Sequence, residues 1–464
     1  MLTAHGTSRS PVAIAEDDAR FFEALRAAEF ARLDEQDEAY LDYTGSALYA
    51  ARQVRSHADA LLGGVYGNPH SESRPSRAST EAIAQARHEV LRFLDASEGV
   101  WEVVFTANAT GAIRLVAESY PFDASHACVL AADNHNSVNG IREVARARDA
   151  RVHYLPLDAE LRLDDAEAHL DALARVGTRG LVAFPAQSNF SGVRHPLSIA
   201  AAARARGFDV LLDAASYAPS APLSLDALPV DFVPLSFYKL FGYPTGIGAL
   251  LVRRASLAKL ERRWFAGGTV QFASVQRPVH LLKAGAEGFE DGTPSFLAAS
   301  ALPQGFALLA EVGMERLQRR VALLTARLLD RLTALRHRDG SAAVIVHGPR
   351  TLAARGGCVA FNVRDRRGDI VPYERVETLA RSARVSLRGG CFCNPGAAER
   401  AFDFPAIEAA RCQDEAQRRG FSVPRFRDCL RDRAVGALRI SVGLATNERD
   451  VERGVQVVAE SAGL

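Results

Sequence analysis

Lysine is scarce in this chain of 464 residues, because only three of its 56 basic residues are lysines. The basic side chains face 55 acidic ones, and the formal net charge is +1. That balance argues against a general binder of nucleic acids or of acidic membranes. No apolar run approaches the ~18 residues of a membrane span, and residues 1–22 lack the basic and apolar segments of an export signal. These absences predict a protein of the cytoplasm.

Cysteine is also sparse, with six residues: Cys128, Cys358, Cys391, Cys393, Cys412 and Cys429. So few in so long a chain do not suggest a disulfide framework, and we expect reactive or metal-binding chemistry instead. Cys391 and Cys393 lie in LRGGCFCNPGA, a loop beside Arg388 in which an exposed thiolate could act. The alternative is a metal site that adds Cys412 and Cys429, but gaps of 18 and 16 residues match no usual zinc or iron–sulfur spacing. We therefore favour a reactive thiol and predict no metal.

The first lysine, Lys239, lies in SFYKLFGYPTGIGALLV, where a Gly/Pro turn joins two apolar runs. A guanidinium stays protonated in proteins, whereas an amine can lose its proton, so a lysine in this context indicates a role that arginine cannot fill. An amine that forms an imine with an aldehyde cofactor is such a role, and it makes pyridoxal phosphate the leading hypothesis. The alternative is a chance lysine on a surface loop.

Short apolar runs alternate with helical stretches in the first part of the chain, which predicts βαβ units and a mostly parallel sheet flanked by helices. We assign residues 34–298 to this large α/β domain. The predicted strands are 101–106, 126–132, 180–186, 209–214, 232–236 and 248–253.

A second pattern follows, with a long helical region at 301–338 and several later strands. It predicts a smaller α+β domain, residues 299–464, interrupted by a partly helical insert at 398–433. We expect residues 1–33 to pack with this small domain.

Polar residues follow the predicted strands, and open α/β sheets bind ligands at that edge. Ala109, Thr110 and Gly111 begin a helix, whose backbone N–H groups could hold a phosphate. Asp213 could pair with a protonated pyridine nitrogen. The alternative for each of these residues is an ordinary cap or turn.

Three further residues could complete such a site. His135 could stack on a cofactor ring and move protons, and Asn189 could donate to its phenolic oxygen. Arg439 could form a bidentate pair with a substrate carboxylate. The alternatives are a hydrogen-bonded loop histidine, a turn asparagine and an ion-paired arginine.

Taken together, these segments resemble the class V aminotransferase family of pyridoxal-phosphate enzymes, and within it the cysteine desulfurases. The greatest likeness is to the aminotransferase-like domain of molybdenum-cofactor sulfurases. It covers about residues 35–460 and depends on YLDYTGSAL, FTANATGAIRLVAE, FPAQSNFSG, LLDAASYAPSAPLSL, SFYKLFGYPTGIGALLV, FAGGTV, FEDGTPSFL and GCFCNPGA.

The resemblance implies a homodimer of fold type I with a seven-stranded sheet in the large domain. It implies catalytic roles for Lys239, His135 and Cys393, with Cys393 preferred to Cys391 as the nucleophile. Arg439 and Arg388 would bind the substrate. The cofactor would be held by Ala109, Thr110, His135, Asn189, Asp213, Ser216, Ser236, Tyr238, Lys239 and, from the neighbouring subunit, Thr269.

The chain departs from the family pattern at three positions. Tyr238 stands where many desulfurases have histidine, Ser216 where they have glutamine, and Ala398 where sulfurases often have cysteine. Eukaryotic sulfurases also continue into a C-terminal domain associated with the molybdenum cofactor. The first two differences predict altered proton handling around the phosphate and the ring oxygen.

The expected activity is therefore conversion of L-cysteine to L-alanine, with a persulfide on Cys393 that a mobile loop carries to an acceptor protein. One alternative is a pyridoxal-phosphate aminotransferase, lyase or epimerase of secondary metabolism without persulfide chemistry. Another is a non-catalytic scaffold or sulfur-carrier partner with the same fold.

Overall fold

The computed structural model of the chain describes residues 11–430 and 433–464, with side chains from residue 16 onward. Its helices are α1 Pro11–Glu29, α2 Arg32–Glu35, α3 Ala51–Gly63, α4 Arg74–Phe93, α5 Ala109–Ser119, α6 Asn136–Asn139, α7 Ile141–Arg146, α8 Ala166–Arg175, α9 Ser198–Ala205, α10 Phe237–Phe241, α11 Arg254–Leu257, α12 Phe296–Val312, α13 Met314–Ala334, α14 Tyr373–Ser382, α15 Pro395–Ala401, α16 Ala406–Arg419, α17 Val423–Cys429 and α18 Glu448–Ala462, with a 3₁₀ helix at Gly285–Phe289. Its strands are β1 Ala39–Tyr40, β2 Trp101–Thr106, β3 His126–Ala131, β4 Arg151–Leu155, β5 Arg179–Pro185, β6 Phe208–Asp213, β7 Phe232–Ser236, β8 Gly248–Arg253, β9 Val270–Ser274, β10 Val279–Leu282, β11 Val344–His347, β12 Cys358–Val363, β13 Val385–Ser386, β14 Arg388–Gly390 and β15 Ala437–Ser441.

A seven-stranded sheet forms the centre of the larger part, in the order β2-β8-β7-β6-β5-β3-β4. β8 pairs antiparallel with both of its neighbours, and the other pairs are parallel. The predicted mostly parallel sheet is confirmed. Because six strands run the same way, their carboxyl ends meet at one edge, where a ligand site is expected.

The two faces of this sheet are covered by separate layers of apolar side chains. Successive residues of a strand point to opposite faces, so Val104 of β2 belongs to one core while Val103 and Phe105 belong to the other. α5 contributes Ile113 to the first core, and α4 contributes Ile83 to the second. Burial on both faces explains why the strands appear in the sequence as near-continuous apolar runs.

The C-terminal part is built on a four-stranded antiparallel sheet, in the order β11-β12-β15-β14. The predicted helical region 301–338 is two helices, α12 and α13, which meet at Gly313 with φ 76°. A left-handed φ is a conformation that glycine adopts without strain, and this residue ends one helix and begins the next.

The N-terminal segment contacts this C-terminal part. β1 pairs in parallel with β13, and Arg26 of α1 forms a buried ion pair of 2.6 Å with Asp450 of α18. Asp18 of α1 pairs with Arg316 of α13. The domain boundaries themselves stay predictions, and residues 1–10 lie outside the described residues.

The insert predicted at 398–433 contains α16 and α17, and its residues 431 and 432 lie outside the described residues. Cys412 and Cys429 form a disulfide that joins these two helices, with 5.8 Å between their Cα atoms. The expectation that cysteine chemistry here is reactive or metal-binding is therefore wrong for this pair. Sequence spacing did not reveal the pairing because the turn between the helices brings the thiols together. Among the described residues no single helix has the length and apolarity to cross a membrane; only α12 and α13, bent by 70°, pass that test as a pair.

Candidate active site

A pocket of about 170 Å³ opens at the carboxyl edge of the seven-stranded sheet. Nine of the ten predicted cofactor residues line it: Ala109, Thr110, His135, Asn189, Asp213, Ser216, Ser236, Tyr238 and Lys239. They come from five different strand ends. Their convergence follows from the parallel arrangement of the strands, and their roles stay predictions.

Lys239 sits on α10, a helix of five residues that follows the end of β7. Gly242 ends this helix with φ 80°, and any side chain there would overlap the backbone of Tyr49. Burial lowers the pKa of the Lys239 amine, Asp213 acts in the opposite direction, and Arg439 lowers it again. The amine is thus held in surroundings that favour its neutral, nucleophilic form.

Hydroxyl groups gather on one side of the pocket, where α5 begins. Thr110 Oγ1 lies 2.8 Å from Ser137 Oγ, and Ser236 Oγ accepts from the Ala109 N–H at 2.9 Å. Tyr238 also lines this pocket, and burial raises its pKa, so its phenol stays protonated as a donor. These hydroxyls are a suitable donor set for a phosphate.

The backbone N–H groups predicted to face an anion are partly used within the protein. Asn108 caps α5, and its Oδ1 accepts from the Gly111 N–H at 2.9 Å. The Ala109 N–H is likewise directed to Ser236. A local side-chain cap thus satisfies the Gly111 N–H and a hydroxyl satisfies the Ala109 N–H, and the predicted phosphate site at the N–H groups of Ala109, Thr110 and Gly111 stays a prediction.

Ser137 was missed by sequence reasoning, although it lines the pocket. Its N–H donates to His135 Nδ1 at 3.1 Å, so Nδ1 is an acceptor and a neutral His135 carries its proton on Nε2. Burial lowers the pKa of His135, and the charge of Lys239 lowers it further. The pattern His-x-Ser at a helix start was the available signal.

Asp213 ends β6 and is 8% exposed. Its Oδ1 accepts from the Ala215 N–H at 3.0 Å, which fixes the carboxylate at the floor of the pocket. A buried carboxylate of this kind is the partner that a protonated pyridine nitrogen requires. Its charge also reaches Lys239 and His135, since it opposes the lowering of both pKa values that burial causes.

The predicted nucleophile lies on a turn that is docked against the pocket. Asn394 N donates to Cys391 O at 3.0 Å, and both central residues, Phe392 and Cys393, have left-handed φ values of 55° and 54°. For residues other than glycine this costs roughly 1 kcal/mol or more each. Asn189 Nδ2 donates to Phe392 O at 2.7 Å. These contacts hold the strained turn in place.

Two more hydrogen bonds complete this docking. The Asn136 N–H donates to Cys393 O at 2.7 Å, and Asn394 Nδ2 donates to Asn189 Oδ1 at 2.9 Å. Asn394 is fully buried and was not among the predicted site residues. Its position within GCFCNPGA, directly after the cysteine, was the signal for it.

Cys391 and Cys393 are both exposed, but their charged neighbours differ. Burial lowers the pKa of Lys239, the Asp213 carboxylate raises it, and a negative charge on Cys393 would raise it as well. Cys391 instead lies near Tyr373, whose pKa is raised to about 12 by burial first and then by Glu374. Cys393 therefore lies on the lysine side of the turn.

Arg439 and Arg388 lie directly opposite each other on β15 and β14. Arg439 is 2% exposed and donates to Asn189 O at 2.9 Å, so it reaches the pocket through a lining residue. Both arginines bind the carboxylate of Asp42, at 3.0 Å from Arg439 and 2.6 Å from Arg388. Asp42 was missed as a site residue, although it lies in the quoted segment YLDYTGSAL.

Thr269 is the one predicted cofactor residue outside the pocket. It is fully buried beside Ala266, and its Oγ1 donates to Ala266 O at 2.8 Å. Its contribution to a neighbouring subunit stays a prediction. The alternative metal site is wrong, because Cys412 and Cys429 are bonded to each other and the described part of the chain contains no cluster suited to a metal ion.

The residues of the pocket fit pyridoxal phosphate. Lys239 and Asp213 line the pocket together, the Asp213 charge acts on the Lys239 amine, and Thr110, Ser137 and Ser236 line the same pocket. Together with the seven-stranded sheet, this arrangement defines a pyridoxal-phosphate enzyme of fold type I.

Comparison with known proteins identifies the family. The family model described as aminotransferase class-V matches residues 39–453, and the chain belongs to this family. The chain is 36% identical to a molybdenum cofactor sulfurase of Drosophila grimshawi, over 95% of the chain and 60% of that relative. It is 33% identical to the Homo sapiens protein of the same name, over 94% of the chain and 51% of that relative. The chain thus spans little more than half the length of these relatives.

A solved structure of similar fold is the apo cysteine desulfurase from Thermococcus onnurineus NA1. It superposes with a TM-score of 0.77 at 25% identity, covering 95% of this chain and 98% of that one. The predicted family, fold and cofactor are confirmed.

Proposed function

We propose that the protein takes sulfur from L-cysteine onto Cys393 and releases L-alanine. The observation that carries this proposal is the position of Cys393 on a turn docked at Asn136 and Asn189, where Asn136 directly follows His135 and Asn189 itself lines the pocket. A thiol held at the lysine side of a pyridoxal-phosphate pocket is placed to attack a substrate bound there. The sulfur-related names of the similar proteins point in the same direction.

Bound pyridoxal phosphate supplies an electron sink that stabilises negative charge next to the substrate amine. In the proposed reaction Arg439 would bind the substrate carboxylate, and the amine of Lys239 would move protons at the substrate carbons. Neutral His135 carries its proton on Nε2, where it can donate a hydrogen bond to a group bound in the pocket. Asp213 would pair with the cofactor nitrogen and keep it protonated.

The sulfur step is a displacement at sulfur. The Cys393 thiolate attacks the substrate sulfur, so an S–S bond forms and the bond between the substrate Cβ and its sulfur breaks. The electron pair of the broken bond stays with Cβ, which takes up one proton and becomes the methyl group of the alanine that is released. Exposure of Cys393 would then allow a thiol of an acceptor protein to remove the outer sulfur.

We also propose that the protein works as a homodimer. The hairpin of β9 and β10 and the segment before it expose Trp264, Phe265, Phe272, Val275, Val279 and Leu281. An apolar surface of this extent is typical of an interface, and Thr269 lies at its base. Sedimentation should give twice the chain mass of 50.0 kDa. Function in the cytoplasm stays a prediction.

The test uses Cys393→Ser, with Cys391→Ser as the matched control on the same turn. Purified protein is incubated with L-cysteine in two samples. Sulfide and alanine are measured in the sample with a reductant, and the peptide containing both cysteines is weighed from the sample without one, because a reductant removes a persulfide. We expect wild type and Cys391→Ser to release both products and to carry 32 mass units, about one sulfur atom, on Cys393. Cys393→Ser should release neither sulfide nor alanine and should carry no added sulfur. Alanine or another product formed equally well by Cys393→Ser would overturn the proposal in favour of an aminotransferase, lyase or epimerase.

A further inference from the structure

The segment YLDYTGSAL has no assigned role, yet its Asp42 touches both substrate-binding arginines. Asp42 Oδ2 accepts from Arg388 Nη2 at 2.6 Å and from Arg388 Nε at 3.0 Å. Asp42 Oδ1 accepts from Arg439 Nη2 at 3.0 Å. One carboxylate thus bridges two guanidinium groups that face each other across β14 and β15.

This bridge is built into the backbone around it. Residue 42 forms a parallel bridge with Ser441, the last residue of β15, and Gly45 N donates to Asp42 O at 2.9 Å. A Cβ on Gly45 would lie 2.5 Å from Asp42 Oδ2 and 2.7 Å from Arg388 Nη2. The ion pair therefore packs directly on the Gly45 backbone, and the sequence Asp-x-x-Gly leaves room for it.

The two arginine side chains differ in how much of their surface is exposed and in their hydrogen-bond partners. The Arg439 side chain is 3% exposed, binds Asn189 O and has no partner for its Nε, whereas the Arg388 side chain is 49% exposed. Two positive groups face one negative group, so a single positive charge is left for a substrate. Both arginines lower the pKa of Lys239, after the larger effects of burial and Asp213, so their charge extends to the reacting centre.

We propose that Asp42 is a specificity-determining residue: it neutralises Arg388 and so restricts the site to amino acids with one acidic group. This inference rests on the proposed function, because it assumes that an amino acid binds beside Lys239. A substrate with a second carboxylate, sulfinate or sulfonate would bring an extra negative charge close to Asp42 without a free cation to meet it. L-Cysteine, with one carboxylate and a neutral thiol, meets the condition.

The test compares L-asparagine and L-aspartate, which have the same size and differ by one charge. Their dissociation constants are measured by titration calorimetry with the cofactor-loaded protein. The readout is the dissociation constant of L-aspartate divided by that of L-asparagine. Wild type should bind L-asparagine more tightly. In Asp42→Asn the ratio should fall roughly tenfold, as expected for loss of one nearby charge. In the double variant Asp42→Asn with Arg388→Gln it should return toward the wild-type value.

Asp171→Asn is the matched control, because Asp171 pairs with Arg206 away from the pocket. Its ratio should equal that of wild type. A purely structural role for Asp42 would weaken both ligands equally and leave the ratio unchanged, which would overturn the inference. If the protein still releases sulfide and alanine while Asp42→Asn has the wild-type ratio, this inference alone fails. Wild-type protein that binds neither amino acid would overturn the inference together with the proposed substrate.

Discussion

The guanidinium of Arg439 lies over the ring of Phe392, with 4.7 Å between Arg439 Cζ and the ring centroid. Phe392 is the residue before Cys393, and its ring also packs against Phe190 at 5.3 Å. Phe392, whose ring contacts the Arg439 guanidinium, is therefore part of the turn that carries the Cys393 thiol. Any movement of the turn changes the surroundings of Arg439.

Replacing Phe392 with leucine should weaken substrate binding. Leucine keeps apolar volume but has no π face, and a partly buried cation–π contact contributes about 0.5–2 kcal/mol. We expect the KM for L-cysteine to rise by roughly 3- to 30-fold with a smaller change in kcat. Phe421→Leu, on the exposed face of the insert, should change neither constant. An unchanged KM in Phe392→Leu would show that the contact does not orient Arg439.

Lys239→Arg should abolish covalent attachment of the cofactor while keeping the fold. Arginine retains a positive charge but cannot form the imine. The chain offers a matched control in Lys259, which pairs with Asp209 at 2.6 Å on the surface. After borohydride reduction, mass spectrometry should find the cofactor on the peptide with residue 239 in wild type and in Lys259→Arg, and not in Lys239→Arg. Labelling at another lysine would contradict the assignment.

Acid should destabilise the cofactor-free protein partly through His135. Burial lowers the pKa of His135 in the folded state below its usual value of 6.5. Between the lowered value and 6.5 the unfolded chain binds a proton that the folded chain does not, so the free energy of unfolding falls as the pH falls. Urea unfolding at several pH values should therefore give a smaller slope for His135→Gln than for wild type in this window. Equal slopes would mean that His135 titrates alike in both states.

The disulfide of the insert predicts a defined thiol count. Protein denatured without reductant should show four reactive thiols, the number of free cysteines, and six after reduction. Cys412→Ser should release the Cys429 thiol and give five thiols with or without reductant, because five cysteines then remain and none of them is paired. Opening the loop should also make the segment between α16 and α17 more sensitive to protease, because a cross-link over a loop of this size restricts the unfolded state by about 3 kcal/mol. Six thiols before reduction would contradict the pairing.

Much of the site was predictable because its residues follow strands. Asp213, Asn189 and His135 each come soon after an apolar run, and parallel strands bring their carboxyl ends to one edge. Lys239 was predictable because lysine is rare in this chain and, unlike arginine, can lose its proton and form an imine. Backbone N–H groups were harder to predict, since the cap from Asn108 competes with a ligand for the same donors.

The residues that escaped prediction depend on contacts distant in sequence. Asp42 reaches Arg388 and Arg439 only after the first strand pairs with the last part of the chain. Phe392 looks like a loop apolar residue until the fold places it under Arg439. Edge strand β4 was not among the predicted strands, because RVHYL alternates polar and apolar residues over only five positions.

The pairing of β1 with β13 has a consequence for the order of synthesis. Asp42 leaves the ribosome early, but Arg439, which it contacts, is 397 residues further along the chain. The large sheet can form beforehand, whereas the contact between Asp42 and Arg439 must wait until the ribosome has synthesised residue 439. A nascent chain can therefore form the pocket around Lys239 before Arg439, the residue proposed to bind the substrate carboxylate, has been synthesised.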